Sequence, residues 1–464
     1  MNDRQTSGST EALIERALRA HQEGRFPEAE SIYREVLVAY PTRADVLHFL
    51  GLLELQRGAA DEALSLLARS LSIVPENQLV ICHLAEAHRQ RGEFEAAAGY
   101  YRRALAISPL LAEAHNGLGI VLQVQGRADE AATEFAAAIS ARPEWGDAYF
   151  NLGLSRKENG GSWEAAKAFA RGWICERQSL NAAGQCVATL ADLVRGHATE
   201  SEPLVRRRSA QQPLPFISIV FCSIDDNKCS RTIALYERLL SDCRHEIIAI
   251  RDAHSLSEAY NCAVEKCRGE VIVLSHDDID ILDDDFAIHL CACLNNEFDA
   301  IGVVGGTTMH GPTWASSGHP NLRGWITHRT DSGKYMVGVL HPSAVSRGLM
   351  TLDGVFLAAR ADVFKTVPFD EVMFDGFHLY DIDWSYRAAQ TGFRLGTVGE
   401  LMVVHDSRGK FDAAMKEYAT RFCFKHQVEV RRPASSITFE AELSTVNEVR
   451  RFFGLLGKLV AKAD

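Results

Sequence analysis

Gly269-Glu270-Val271-Ile272-Val273-Leu274-Ser275-His276-Asp277-Asp278-Ile279-Asp280 decides how the second half of the chain is read. The four apolar residues 271–274 form a run short enough for a buried strand. His276, Asp277 and Asp278 follow at its C-terminal end. In an open α/β sheet that edge is where ligands bind. Hard donors clustered there suit a divalent cation, Mg2+ or Mn2+. The competing reading is an Asp-rich turn whose side chains bond their own backbone and cap the next helix. The segment alone leaves both readings open, and its company in the chain separates them.

Working outward, residues 216–222 read as a strand ending at Ser223-Ile224-Asp225-Asp226-Asn227, with a helix to about Ser241. Residues 246–250 read as a second strand, ending at Arg251-Asp252. Residues 257–267 read as a helix with Ser257 as its cap, 284–295 as another, and 301–304 as a fourth strand. Strands alternating with helices predict a mostly parallel sheet with right-handed crossovers. Three successive strands then end in Asp225, Asp252 and Asp278, which gathers carboxylates on one edge. Residues 307–347 are glycine-rich and aromatic, with Trp314, Trp325, His310, His319, His328 and His341. A loop of that length inside a domain is usually functional, and aromatic faces suit a sugar ring. Asp353-Gly354 opens a turn before another strand. Asp381 and Asp383 begin a helix, where acids are favoured by the dipole or required by chemistry. Residues 401–404 form a last strand, followed by His405.

The first 180 residues follow a different rule. Pro41, Pro75, Pro109 and Pro143 recur every 34 residues, the period of a helix–turn–helix solenoid. Gly24, Gly58, Gly92, Gly126 and Gly160 keep the same interval, as do Ala29, Ala63, Ala97, Ala131 and Ala165. A bulky column reads Tyr33, Leu67, Tyr101, Phe135, Phe169. The glycine ends the first helix of each pair in a left-handed conformation. The alanine lets helices approach, and the bulky side chain fills the groove beside it. The proline stops the second helix.

The chain has 464 residues, enough for about three domains. Its net charge of −12 argues against generic nucleic-acid binding. The N-terminus lacks the apolar core of a signal peptide. No apolar run approaches the ~20 residues of a membrane span. The 11 cysteines form no CxxC pair, as expected of thiols in a reducing cytoplasm.

On these columns, residues 11–181 resemble the tetratricopeptide repeat family, in about five units. That resemblance implies an all-α superhelix for protein partners or self-association. On the segments FISIVFCSID, EIIAIRDAHS, SLSEAYNCAVEKCRGEVIVLSHDDIDI and FDGFHLYDIDWSYRAAQTGFRLG, residues 216–430 resemble a family 2-type glycosyltransferase. The resemblance implies an α/β GT-A (nucleotide-diphospho-sugar transferase) fold and an enzyme moving a sugar from a nucleotide-sugar, a UDP-sugar, to an acceptor hydroxyl. The acceptor class stays open between glycan, lipid-linked and protein molecules. The implied metal ligands are Asp278, His276 and His405, with His276 standing where the family's Asp-x-Asp motif has its first acid. The implied donor-binding residues are Ser223, Asp225, Asp252, Asn261, Asp277, Asp353 and Gly354. The implied catalytic base is Asp381, with Asp383 as its support or the reverse. Arg408, Lys410 and Lys425 are candidate phosphate contacts. Tyr380 stands where many relatives have Glu. With His276, it keeps alive a second reading, an interaction scaffold carrying an inactive transferase-like domain.

Residues 182–215, with Arg206-Arg207-Arg208, read as a linker. Residues 431–464 form a tail. There Thr445-Val446-Asn447-Glu448 fits a capping box, and Val449, Phe452, Phe453, Leu456, Leu459 and Val460 share one helical face. That face either packs on the protein or lies on a membrane surface. The expected location is cytoplasmic, or peripheral at the inner face of the membrane.

Overall fold

The computed structural model describes residues 2–175, 180–196, 213–407, 413–428 and 438–460. The chain divides into two compact units, residues 1–176 and 177–464.

The first unit is five helix pairs: α1 (Asn2–Gln22) with α2 (Phe26–Ala39), α3 (Ala44–Gln56) with α4 (Ala60–Ile73), α5 (Gln78–Gln90) with α6 (Phe94–Ile107), α7 (Ala112–Val124) with α8 (Ala128–Ala141), and α9 (Gly146–Glu158) with α10 (Ser162–Cys175). The glycine column has φ between +74° and +77° at all five positions. The five column alanines are fully buried, and so are Tyr33, Leu67, Tyr101, Phe135 and Phe169. A further small-residue column accepts those rings. A Cβ on Gly119 would lie 2.7 Å from Phe135, and one on Gly153 2.5 Å from Phe169.

The second unit begins with α11 (Leu180–Gly196), inside the stretch expected to be a linker. Its periodic residues Ala183, Cys186, Val187, Leu190 and Val194 are buried. The linker reading fails there because this amphipathic helix carries none of the glycine and proline columns that mark the array. The Arg206–Arg208 run lies outside the described residues.

Then follow β1 (Ile217–Cys222), α12 (Asp226–Leu239), β2 (His245–Ile250), α13 (Leu256–Lys266), β3 (Val271–Ser275), β4 (Ile279–Ile281), α14 (Phe286–Asn296), β5 (Ala300–Gly302) and β6 (Val304–Gly306). Next come β7 (Leu322–Arg329), β8 (Tyr335–Val339), β9 (Val345–Arg347), β10 (Thr351–Leu352), β11 (Phe356–Arg360), α15 (Ala361–Thr366), α16 (Tyr380–Gln390), β12 (Leu395–Val398), β13 (Val403–His405), α17 (Ala413–His426), β14 (Phe439–Leu443) and α18 (Val446–Val460).

The main sheet has the order β2-β1-β3-β11-β5-β12-β9. β1 runs parallel to β2 and β3, as expected, but β11 is antiparallel to both β3 and β5. The sheet is therefore mixed rather than mostly parallel. A second sheet, β10-β6-β7-β13-β4, extends through β8 to β14. It occupies much of the segment expected to be one long loop. The turn Thr330-Asp331-Ser332-Gly333-Lys334, with Gly333 at φ +78°, closes the β7–β8 hairpin.

The face of α18 offered as a membrane surface is inside the protein. Val449, Phe452, Phe453, Leu456 and Leu459 are buried, and the Phe453 ring stacks on Trp325 at 5.2 Å. α18 packs against α11 and β8. Thr445 caps it through Glu448 N, while Glu448 reaches back to Ser444 N rather than to the cap residue.

Candidate active site

Strand β3 is buried along its whole length and delivers the polar residues 276–278 just past its C-terminal end. Beside it, β13 pairs antiparallel with β4, setting His405 opposite Ile279. The Asp406 N–H donates to the Asp278 carbonyl at 2.9 Å. This pairing brings His405 onto the turn 276–278 although 127 positions separate it from Asp278. Asp278 Oδ1 lies 3.2 Å from His405 Nε2 and 3.8 Å from His276 Nδ1. One donor atom from each of the three residues lies within 4.8 Å of the others. Burial pushes the Asp278 carboxyl up. The hydrogen bond and charge of His405, with His276 and Lys228, outweigh it and hold Asp278 well below the carboxylate range. Burial lowers His276, and His405 lowers it further. Two imidazoles and one carboxylate, with Asp278 and His405 buried and His276 half-buried, are a donor set that first-row divalent ions accept.

Asp277 is placed differently from its neighbour. Its Oδ2 accepts from Ser223 Oγ at 2.7 Å, and its carbonyl accepts from Thr232 Oγ1 at 3.0 Å. Asp225 is the N-cap of α12, taking Asn227 N at 2.8 Å and Lys228 N at 2.9 Å on one oxygen. Asp252 is exposed at the end of β2.

A second acidic centre stands one strand away. The antiparallel pairing of β3 with β11 puts Ser275 opposite Phe356, and His276 N–H donates to the Val355 carbonyl at 3.1 Å. The turn Asp353-Gly354-Val355 therefore lies against the histidine-aspartate cluster. Gly354 N–H donates to Asp381 Oδ2 at 2.6 Å. A Cβ there would fall 2.5 Å from the Tyr380 hydroxyl and 2.8 Å from Asp381 Cβ, so only glycine fits. Asp353 Oδ2 accepts from Trp314 Nε1 at 2.6 Å, and its Oδ1 accepts from Val355 N at 2.9 Å. Burial, and next the charge of Asp353, pushes the Asp381 carboxyl up to about 7. That is the value a general base working near neutrality needs. Leu379, just before α16, holds φ +61°, a strained conformation for a branched residue at the point that aims Asp381.

Several sequence-based assignments change. Asp383 is fully buried and accepts from Arg387 Nε at 2.8 Å, Lys425 Nζ at 2.6 Å and His426 Nε2 at 2.7 Å. It faces α17 inside a cationic cage, so it neither receives a proton from an acceptor nor supports Asp381. Two positions along a helix turn a side chain by about 200°, onto the opposite face. Lys425, which also binds Asp370 at 2.7 Å, is a structural cation and not a phosphate contact. Asn261 spends both ends of its amide on residues 369–371, through Phe369 N, Phe369 O and Glu371 Oε1. It braces that loop instead of a nucleotide. The α13 cap is Ser255, which accepts from Glu258 N, while Ser257 is buried and donates to the Phe374 carbonyl at 2.8 Å. Arg408 and Lys410 lie outside the described residues.

Sequence reasoning missed Lys228. Its Nζ stands 3.7 Å from Asp277 Oδ1 and 3.6 Å from Asp278 Oδ2. A lysine in a first helical turn reads as solvated, and only the crossover of α12 over the β3 end brings it to the acids.

Residues 218–426 match the family described as "Glycosyltransferase like family". Residues 14–77 and 116–179 match the tetratricopeptide repeat family, and 85–126 a further repeat description of the same kind. No curated protein matches the chain. Among solved structures, MamA is 26% identical with a TM-score of 0.32, covering 36% of this chain and 96% of that one. A thermophilic TPR protein from Thermus thermophilus is 19% identical with a TM-score of 0.35, over 39% and 98%. YrrB, titled a TPR protein with an unusual peptide-binding site, is 20% identical with a TM-score of 0.31, over 37% and 88%. The chain carries a tetratricopeptide repeat region followed by a mixed α/β glycosyltransferase-like domain.

Proposed function

We propose that this repeat–transferase chain moves a sugar from a UDP-sugar to an acceptor hydroxyl by inverting displacement, with the repeats holding the acceptor or a protein partner. The observation that carries the reading is the adjacency of two complementary centres. A histidine-aspartate-histidine cluster ends β3, and a carboxyl raised to about 7 stands beyond the adjoining turn. Inversion needs one carboxylate to accept the hydroxyl proton as the oxygen attacks the anomeric carbon. Asp381 has that role. Gly354 N–H, donating to Oδ2, holds its carboxylate in place. Burial, and next Asp353, itself held by Trp314 and Val355, keeps Asp381 basic. His276, Asp278 and His405 would hold a divalent cation, whose charge would stabilise the departing diphosphate. Ser223 orders Asp277 beside it. Asp252, exposed at the β2 end, is the side chain offered to the nucleoside. Tyr380 is buried with its hydroxyl on the Gly354 carbonyl at 3.3 Å, so it serves the turn without taking over the proton.

We place the reaction in the cytoplasm, in keeping with eleven free cysteines. No helix among the described residues is long and apolar enough to cross a membrane.

The test is a thermal-shift titration of the whole chain with UDP, GDP and CDP, each with and without Mn2+. A ligand at 100 times its Kd stabilises the domain that binds it by about 2.7 kcal/mol. A Mn2+-dependent shift with UDP, lost in His405→Ala, is the expected result. No shift with any nucleotide, with or without metal, would overturn the reading in favour of a repeat scaffold.

A further inference from the structure

We propose that Lys228 is a resident counter-cation of the metal cluster, one that leaves the acids for the donor's diphosphate when a divalent ion arrives. The inference deepens the transferase reading above and rests on it.

The position of Lys228 is built, not incidental. Asp225 caps the first turn of α12 through Asn227 N and Lys228 N. One turn later, Thr232 Oγ1 shares its single proton between the Lys228 carbonyl at 2.9 Å and the Asp277 carbonyl at 3.0 Å. The start of α12 is thereby tied to the 276–278 turn. Each carboxylate then has one oxygen engaged and one left over. Asp277 Oδ2 is on Ser223, and Oδ1 faces the lysine. Asp278 Oδ1 is toward the two histidines, and Oδ2 faces the lysine. At 3.7 and 3.6 Å the ammonium is in Coulomb range of both acids and hydrogen-bonded to neither. Arg231, three residues on, is by contrast fixed to Asp406 at 2.8 Å. The Lys228 side chain is 45% exposed, so it can move without disturbing the core.

The consequences have opposite signs. Before metal binds, the ammonium offsets part of the charge of Asp277 and Asp278, and so it opposes a divalent cation at the same carboxylates. Once that cation is in place, the attraction holding Lys228 to Asp278 is cancelled. A diphosphate arriving at the cation then offers it new acceptors.

The experiment measures Mn2+ binding by the electron paramagnetic resonance of the free ion, and nucleotide binding by calorimetry, in the wild-type chain, Lys228→Met and Lys228→Arg. For Lys228→Met, Mn2+ alone should bind more tightly by about three- to tenfold, the scale of one unit charge at a partly exposed site. UDP in the presence of saturating Mn2+ should bind more weakly by about the same factor, while uridine is unaffected. Lys228→Arg should restore both values toward wild type. Wild-type binding of both ligands with neither affinity changed in Lys228→Met overturns this inference and leaves the transferase reading intact. A parallel loss of Mn2+ and UDP affinity also overturns it, since that is what a merely structural ion pair gives. If wild type binds Mn2+ but no nucleotide among UDP, GDP and CDP, the donor reading and the diphosphate arm fall together. If wild type binds no Mn2+, both proposals fall.

Discussion

Asp381 and Asp383 share one helical turn, and their surroundings drive their carboxyls in opposite directions. Asp381 is raised to about 7 by burial and by Asp353, so it is charged and able to accept a proton only as pH passes that value. Transfer should therefore rise with pH through about 7. Asp353→Asn should move the midpoint of that rise downward, because one of its two causes is removed while burial remains. Asp381→Asn should lower turnover by about 10²–10⁴-fold, the usual contribution of a general base, with UDP affinity unchanged. The sign for stability is the reverse of the sign for function. Since the folded carboxyl binds its proton more tightly than the unfolded one, its contribution to stability falls as pH rises from about 4 to about 7. Asp381→Asn should raise Tm at pH 8 and leave it unchanged near pH 4, read by calorimetry. Asp383 behaves oppositely. Its burial is outweighed by the hydrogen bond of His426 and the charges of Arg387 and Lys425, and its carboxyl is lowered. Removing one partner of a buried ion pair costs about 3–5 kcal/mol. Asp383→Asn should thus lower the denaturation midpoint of the transferase-like domain sharply, whereas Asp381→Asn does not. The opposite ordering would return Asp383 to the catalytic centre.

At the scale of elements, the repeats show two different demands for glycine. Gly126 sits at φ +75° with nothing within 4 Å of where a Cβ would stand, so Gly126→Ala meets only backbone strain. The cost should be about 1–2 kcal/mol. Gly119 lies inside α7 with ordinary helical geometry, but a Cβ there would strike Phe135 at 2.7 Å. Gly119→Ala gains helix propensity and loses packing, for a net cost of about 1–3 kcal/mol. Urea melts of the two variants separate the causes when paired with Phe135→Leu, which should rescue Gly119→Ala alone. The 34-residue period makes the first of these legible and hides the second, because Ala17 and Ala85 share that column with Gly51, Gly119 and Gly153. The same division runs through the second unit. Strands β1 to β3 are legible because apolar runs there end abruptly in Asp or His. The β7–β8 hairpin is not, since its strands carry Arg323, Thr327 and His328, and turn chemistry at Ser332-Gly333 reads as loop composition. For the candidate site, the grouping of His276, Asp278 and His405 is legible, while Lys228 and the side-chain orientations are not. His276, Asp278 and His405 converge on one point, with Asp381 beyond the adjoining turn. Asp383 and Asn261 carry motif residues whose side chains are consumed by Lys425 and by the 369–371 loop, a fact held in tertiary contacts and in no local pattern.

At the scale of the whole molecule, the C-terminal segment is where two readings of one amphipathic pattern diverge most. An apolar stripe with basic residues opposite describes both a membrane-lying helix and a helix docked on its own domain. In this chain the stripe is used internally: Phe452 and Leu456 are fully buried, and α11, β8 and the Trp325 ring cover that face. Each reading assigns a different consequence to the same substitution. Phe452→Asp buries a carboxylate with no counter-ion and opens a cavity, a combination costing at least the ~3–5 kcal/mol of a large-to-small aromatic change. The Mn2+–UDP stabilisation of the chain should be lost with it, because β8 pairs with β7, and β7 with the His405 strand. Were the stripe a membrane surface, Phe452→Asp would leave Tm and nucleotide binding untouched and would abolish sedimentation with anionic vesicles. Lys458→Glu, on the exposed side of α18, completes the test. It should change Tm by less than about 0.5 kcal/mol in equivalent stability. A fall in vesicle binding for Lys458→Glu at unchanged Tm is the one result that internal packing of α18 does not explain.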